Sequence, residues 1–208
     1  MQNRSANLPK TVTGGLCLNE DNSHFFSSRA GQKLDAEKVA AWVDQYANTQ
    51  VRELLMSVNC MRTSYASQVW DPIWHGYDPQ AGNDQPLLAS TPPAARQGAR
   101  DWVHTAWQLN QNGIDVYATW IKRARQRGLS PWLSMRMNDV HNVDDEHSYI
   151  HSEFWRQHPE FRRVPYRFTQ SVDRAFDYGH KEVREHHFKL IRELAERYDF
   201  DGLELDWM

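Results

Sequence analysis

The sequence predicts an α/β fold built on a parallel sheet. Segments with strand character alternate with segments of helical periodicity along the 208 residues, and this alternation is typical of parallel strands joined by crossover helices. The long polar loops all follow the carboxyl ends of the strands. Because a chain of this length suffices for one hydrophobic core, a single domain with four strands and three crossovers is expected.

Short apolar or alternating segments between turn residues predict the strands. The predicted strands cover residues 11–18, 52–59, 131–138 and 202–207. The predicted helices cover residues 35–48, 101–109, 114–127 and 181–198. Asp35 is placed to cap the first helix at its amino end, and Gly128 is placed to end the third.

Two long loops interrupt the pattern. The segment 60–100 is polar and rich in proline, and a second, His- and aromatic-rich segment extends from the third strand to Gly179. Long loops in a compact domain are usually functional or disordered. Since loops at the carboxyl ends of parallel strands build binding sites in barrel folds, a site is expected there.

Alternation along the strands separates an apolar face from a polar face. Leu133 and Met135 share one face of the third strand, and Ser134 shares the other with two further polar residues. The side chains expected to converge on the polar face are Asn59, Arg136, Asn138, Glu204 and Asp206. Buried polar groups need partners or a ligand. The cluster predicts either a hydroxyl-binding acid/base site or an ion pair of Arg136 with Glu204 that only fills the interior.

The carboxyl-terminal 32 residues resemble a known superfamily. The segments are Asp-Tyr-Gly-His-Lys-Glu-Val-Arg at 177–184, Leu-Ile-Arg-Glu-Leu at 190–194 and Tyr-Asp-Phe-Asp-Gly-Leu-Glu-Leu-Asp-Trp-Met at 198–208. Together they resemble the glycoside-hydrolase-like barrel proteins. The resemblance implies a (β/α)₈ TIM barrel, of which residues 1–208 would form the amino-terminal part of a single domain, and it implies hydrolysis of a poly- or oligosaccharide.

The last of these segments is also similar to the strand-four signature of family 18 glycoside hydrolases. Those proteins carry a catalytic glutamate where this chain has Met208, so their substrate-assisted mechanism is not expected here. The resemblance leaves Asp206 and Glu204 as the catalytic candidates. They lie two apart on one strand face, about 7 Å between backbone positions, and a second catalytic carboxylate is expected beyond residue 208.

The remaining candidates are expected to contact sugar hydroxyls. Those of the inner face and third loop are Arg136, Asn138, Asp139, His141 and Asn59, and those of the rim are Asn19, Asp21, His24, Tyr178 and His180. No cofactor is expected. Two rival functions stay open: a Zn²⁺- or Mn²⁺-dependent hydrolase with His24, His141, Asp139 and Asp206 as ligands, and a non-catalytic carbohydrate-binding barrel, which Met208 favours.

Composition limits the partners. The net charge of −3 argues against nucleic acid, and no apolar run is long enough to span a bilayer. Cys17 and Cys60 predict two buried thiols. The amino terminus predicts a cytoplasmic protein, or a secreted or periplasmic one if a signal segment is missing. Four strands would leave open sheet edges, which predicts a fragment of a longer chain or self-association.

Overall fold

The computed structural model describes residues 14–163 and 174–207. One sheet holds four parallel strands in the order β1-β2-β3-β4. The strands are β1 Leu16–Glu20, β2 Val51–Ser57, β3 Ser130–Arg136 and β4 Gly202–Asp206. Each strand pairs with the next one in the chain, so the sheet is wound in one direction without the reversal that doubly wound sheets contain.

Six α-helices lie in the described residues. They are α1 His24–Ser28, α2 Ala36–Asp44, α3 Arg96–Gln111, α4 Val116–Gln126, α5 Glu153–Gln157 and α6 Lys181–Arg197. The carboxylate of Asp35 accepts a hydrogen bond from the backbone N–H of Lys38 at 2.8 Å, which confirms the predicted cap. Gly128 follows α4 with a φ of 73°. None of these helices is long and apolar enough to cross a membrane.

The hydrophobic core lies between one face of the sheet and the helices. Leu54, Met56, Leu133 and Met135 are at most 1% exposed and belong to one apolar cluster with residues of α2, α3, α4 and α6. Trp120 of α4 is part of the same cluster. The predicted division of the third strand is therefore confirmed, since its apolar residues face the helices.

The opposite face of the sheet is polar and concave. Asn19 of β1 donates a hydrogen bond of 2.7 Å to Glu204 of β4. In a flat sheet these two strands would stand about 14 Å apart, with their side chains pointing in parallel. Contact between them requires the sheet to curve around this face, as half of a barrel wall does.

Apolar side chains are exposed at both edges of the sheet. Leu16 at the β1 edge is 56% exposed, and at the β4 edge Leu205 and Trp207 are 41% and 58% exposed. Leu205 and Trp207 share the strand face that is directed toward the helices. Among the described residues no helix covers these side chains, which are in contact with solvent.

Several predicted boundaries were wrong. The first strand extends to Glu20, so Asn19 lies within the sheet and not in a loop; residues 11–13 lie outside the described range. Helix α3 begins five residues before the predicted position. Cys17 is exposed rather than buried, because the concave face is open beside it, while Cys60 is buried as expected.

The segment 60–100 is more ordered than its composition indicates. Residues 60–65, which follow β2, are all buried, and two further apolar residues of the segment, Ile73 and Leu88, are 0% exposed. Backbone hydrogen bonds also hold it, such as that from Ile73 N to Thr63 O at 2.8 Å. The loop therefore packs against the core and helps to shape the site.

Gly202 of β4 pairs with Trp132 of β3, and its Cα lies against the indole ring. A Cβ at Gly202 would lie 2.4–2.5 Å from three ring carbons of Trp132. We expect Gly202→Ala to lower the free energy of unfolding by about 1–3 kcal/mol through overpacking, as measured by urea denaturation. In a Trp132→Ala background the same change should cost much less. Gly98→Ala in α3 is the control, because its Cβ would meet nothing within 4 Å.

Candidate functional site at the carboxyl ends of the strands

A cavity of about 210 Å³ opens where the loops after β1, β2 and β3 meet. We call it the mouth cavity, and its polar lining includes Asp21, Asn22, Arg136, Asp139, His141 and Tyr149. These side chains come from two separate parts of the chain, the loop after β1 and the end of β3 with its loop, and Cys60 after β2 completes the wall. They meet because parallel strands present all their carboxyl ends at the same edge of the sheet.

Arg136, the last residue of β3, is held between two carboxylates. Its guanidinium forms an ion pair with Asp21 from the β1 loop and a second one of 3.2 Å with Asp139. Burial alone would lower the pKa of Arg136, but the two carboxylates outweigh it and raise the pKa. The predicted alternative, an ion pair of Arg136 with Glu204, was wrong, since loop carboxylates at the mouth are the partners of Arg136.

Asp139 and His141 form a hydrogen-bonded pair beside this arginine. The Oδ1 atom of Asp139 accepts a hydrogen bond of 2.9 Å from the His141 backbone N–H and also lies 3.0 Å from His141 Nδ1. Burial opposes the charge of Asp139, yet these bonds and Arg136 lower its pKa. The hydrogen bond to Asp139 raises the pKa of His141, whose side chain is 55% exposed. His141 can therefore carry a proton at the cavity wall.

The two predicted asparagines are engaged by the backbone. Asn59 is 0% exposed. Its side chain donates a hydrogen bond of 2.9 Å to the carbonyl of Arg136 and accepts one of 3.1 Å from the backbone N–H of the same residue. Asn138 is paired in the same way with the backbone of Phe176, at 3.3 and 2.9 Å. Each side-chain amide makes the pair of backbone hydrogen bonds that a neighbouring strand would otherwise make. The two asparagines therefore fix the loops that carry the mouth residues.

The two predicted catalytic carboxylates lie at different depths of the concave face. One oxygen of Glu204 accepts hydrogen bonds from Ser134 at 2.6 Å and from Asn19 at 2.7 Å. Asp206 pairs in register with Arg136 on the neighbouring strand, which places it at the carboxyl end of β4 beside the mouth cavity, although it does not line the cavity. Within residues 14–163 and 174–207 its carboxylate has no hydrogen bond or ion pair, so Asp206 is available to a ligand and Glu204 is held.

The other rim candidates are separated from the mouth cavity. Tyr178 donates its hydroxyl to the carbonyl of Met137 and packs against Trp207 at 4.6 Å between ring centroids. His180 precedes α6, and its ring centroid lies 5.2 Å from that of Phe161. The side chain of His24 is 70% exposed, and its ring is 3.5 Å from Glu20. None of the three lines the cavity.

The four residues considered as metal ligands do not assemble. In the described part of the chain no three His, Cys, Asp or Glu side chains are arranged to hold a metal ion. Asp139 and His141 are adjacent, but the contact of His24 is with Glu20, outside the mouth cavity. The metal-dependent reading therefore has no ligand set in this geometry.

Asn22, Trp102 and Tyr149 are among the cavity residues that the sequence reasoning missed. Asn22 is 3% exposed and its amide oxygen lies 3.5 Å from Arg136, while Trp102 and Tyr149 come from α3 and the third loop. Trp102 is 7% exposed, and among the described residues its indole N–H has no partner. Asn22 could have been found beside Asp21, whereas no local signal marks the two aromatic residues.

Fold and site define an α/β protein with a curved, singly wound parallel sheet and a charged cavity at its carboxyl edge. No protein-family model matches this sequence, and no curated protein is a significant relative of it.

Proposed function

We propose that the mouth cavity binds a poly- or oligosaccharide and that the chain is part of a glycoside hydrolase using carboxylate acid/base catalysis. The observation that carries the proposal is the pair of carboxylates on the concave face, where Asp206 lies beside Arg136 and has no partner among the described residues. A charged donor and acceptors that converge on one small cavity suit the many hydroxyl groups of a sugar. The strand-four resemblance supports the same class.

The proposed roles follow from the contacts. Asp206 is the acid/base or nucleophilic carboxylate, and Glu204, already bonded to Asn19 and Ser134, supports it from below. Asp139 and His141, with Arg136, hold sugar hydroxyls. Glycoside hydrolysis uses two carboxyl groups about 5–10 Å apart, and we propose that the partner of Asp206 comes from another strand of a completed barrel.

The test is a titration of the chain with neutral gluco-, xylo- and manno-oligosaccharides, followed by NMR and by release of reducing ends. We expect saturable binding that His141→Ala weakens. His158→Ala is the control, because His158 lies outside the mouth cavity. Asp206→Asn should retain binding and reduce any turnover at least about 100-fold. Absence of saturable binding across the panel would refute the proposal.

A non-catalytic carbohydrate-binding barrel is the second candidate, and Met208 at the position of the family 18 acid favours it. A binder should show the same loss of affinity in His141→Ala, with no turnover by the unmodified chain. Asp206→Asn then changes only the affinity. Because the proposed catalytic partner of Asp206 lies on another strand, the reducing-end assay separates the two functions when it is made on protein that carries that strand and whose binding has already been established.

A further inference from the structure

A second cavity, of about 650 Å³, lies among the loops and carries basic side chains. Its lining includes Arg62, Arg156, His75, His147, Ser90 and Glu153. We call it the basic cavity. None of these residues takes part in the mouth cavity, and the proposed function assigns no role to them.

Arg62 is a charged side chain that is only 1% exposed. Its Nε donates to the carbonyl of His151 at 2.8 Å and its Nη1 to the carbonyl of His75 at 3.1 Å. These two bonds fix the orientation of the guanidinium. Its Nη2 lies 3.6 Å from Glu153, beyond hydrogen-bond distance. The group is therefore positioned by the backbone and keeps donors for another acceptor.

Arg156 brings a second guanidinium to the same cavity. It donates to Glu153 at 2.9 Å and to the carbonyl of Ser148 at 2.8 Å. Among the described residues, its Nε and the hydroxyl of Ser90 are buried without a hydrogen-bond partner. Buried polar groups are normally paired. An acceptor inside the cavity would supply what both atoms lack.

Two carboxylates lie near the two arginines, but among the described residues neither forms a hydrogen bond with Arg62. Arg62 and Arg156 share one oxygen of Glu153, whose side chain is 37% exposed. The second carboxylate, Asp71, accepts a hydrogen bond from the Glu153 backbone N–H at 2.8 Å. Burial and the charge of Arg156 together lower the pKa of Arg62, and Asp71 and Glu153 offset this only in part. Since arginine stays protonated in proteins, a buried positive charge remains.

We propose that the basic cavity is an anion-binding subsite, which takes a sulfate, phosphate or carboxylate group between Arg62 and Arg156. Two guanidiniums with spare donors, flanked by two imidazoles and a hydroxyl, match the many acceptor oxygens of such groups. Glu153 lies at the cavity wall and is the only carboxylate among its lining residues, so the occupant replaces part of its pairing with Arg156.

A wide cleft of about 1060 Å³ connects this subsite with the mouth cavity. It shares Ser90 with the basic cavity, and it shares His141, Asn142 and Tyr149 with the mouth. A single extended ligand could therefore reach both. Resting on the proposed function, the anion is then a charged substituent on the saccharide, such as a uronate carboxylate, so that the site selects acidic polysaccharides.

The first experiment titrates the chain with sodium sulfate against sodium chloride at equal ionic strength and follows the imidazole resonances of His75 and His147. We expect saturable shifts with sulfate alone. Arg156→Gln should weaken sulfate binding about tenfold or more, because a charge-assisted bond is lost. Arg192→Gln, an exposed arginine of α6, is the matched control and should bind as the unmodified chain does.

Ser90→Ala gives a second variant that removes one hydroxyl and leaves the charges in place. It should weaken sulfate binding about two- to tenfold, which keeps the test decisive if Arg156→Gln fails to fold. The proposed subsite would be refuted if the imidazole resonance shifts do not saturate with sulfate. It would also be refuted if Ser90→Ala and the unmodified chain bind sulfate with equal affinity.

A second arm compares a uronate oligomer with a neutral oligomer of equal length. Tighter binding of the charged oligomer, abolished by Arg156→Gln, identifies the anion as part of the saccharide. If sulfate binds but the charged and neutral oligomers bind with equal affinity, the subsite binds a free anion. The link between the anion and the saccharide is then refuted. If neither oligomer binds, the proposed function fails while the sulfate result still decides the subsite.

Discussion

Replacing Arg136 by methionine is expected to lower the free energy of unfolding by about 3–5 kcal/mol. Methionine preserves much of the side-chain length but leaves Asp139 without its cation. The side chain of Asp139 is 1% exposed, so water cannot replace the lost partner. Urea denaturation of both proteins at pH 7 measures the difference, provided that the slope of the transition is unchanged.

Two further variants test whether the loss of stability comes from the buried charge of Asp139. Arg192→Met removes an exposed arginine of α6 and should change the stability by less than about 0.5 kcal/mol. The double variant Arg136→Met with Asp139→Asn should recover part of the loss, because the buried charge is removed together with its partner. A loss below about 1 kcal/mol in the single variant would show that Arg136 does not hold the mouth together and is free for a ligand.

The strands and their faces were the most predictable part of the fold. A two-residue alternation such as that from Leu133 to Arg136 reflects one local fact, the opposite direction of successive side chains. Core packing against the helices then decides which face is buried. The order of the strands did not follow from the alternation of elements, because doubly wound sheets alternate in the same way and reverse their strand order once.

The pairing of charges at the site could not be predicted in the same way. Arg136 and Asp21 are 115 residues apart, and only the curvature of the sheet and the path of the first loop bring them together. Both Arg136 and Glu204 pointed to the concave face, as predicted. Their partners were misassigned because a sequence does not give the depth of a side chain along a strand relative to the loops.

Burial within the long loops was the least predictable feature. Arg62 of the first long loop looks like a solvated residue in the sequence, yet it is 1% exposed. The long loops also cover His186 of α6, whose ring stacks between Trp70 and Phe154. Their surroundings are built by segments that lie far apart in the chain. Composition marks such loops as polar, whereas the packed structure depends on contacts that have no local period.

Acidification from pH 6.5 to pH 4 is expected to lower the free energy of unfolding by about 3–5 kcal/mol. Two adjacent histidines of α6 cause this loss. Burial, with smaller contributions from His187, Lys189 and His158, lowers the pKa of His186 to about 3. Burial also lowers the pKa of His187 to about 4, although the carbonyls of Val183 and Met137 oppose the shift.

The sign of the effect follows from proton uptake on unfolding. An unfolded histidine binds its proton near pH 6.5, while these folded rings stay neutral, so the unfolded state gains protons as the pH falls. Each ring contributes up to about 1.4 kcal/mol per pH unit, reduced for His186 because it is partly exposed. The stability is fully present above pH 6.5 and is lost as the pH falls toward 4.

Other titrating groups act outside this window, oppose the effect or add to it. The pKa values of Asp21, Asp44 and Asp139 are lowered from 3.8, so their losses occur at more acidic pH. The raised pKa of His141 works against the effect, because its stabilisation is present at low pH and is lost as the pH rises. A lowered pKa of His151, caused mainly by its burial, adds to the loss.

His186→Phe isolates one contribution without emptying the stack. The imidazole of His186 lies nearly parallel to both neighbouring rings. Its centroid is 4.6 Å from that of Trp70, with 12° between the ring planes, and 3.9 Å from that of Phe154, with 9° between the planes. A phenyl ring can occupy the same place. Between pH 6.5 and 4 this variant should lose less stability than the unmodified chain, with a slope reduced by up to about one proton. His24→Gln removes a histidine whose side chain is 70% exposed and serves as the control. Equal slopes in the His186 variant and the unmodified chain would mean that water reaches the ring, and that the aromatic stack opens to admit the charge before the domain unfolds.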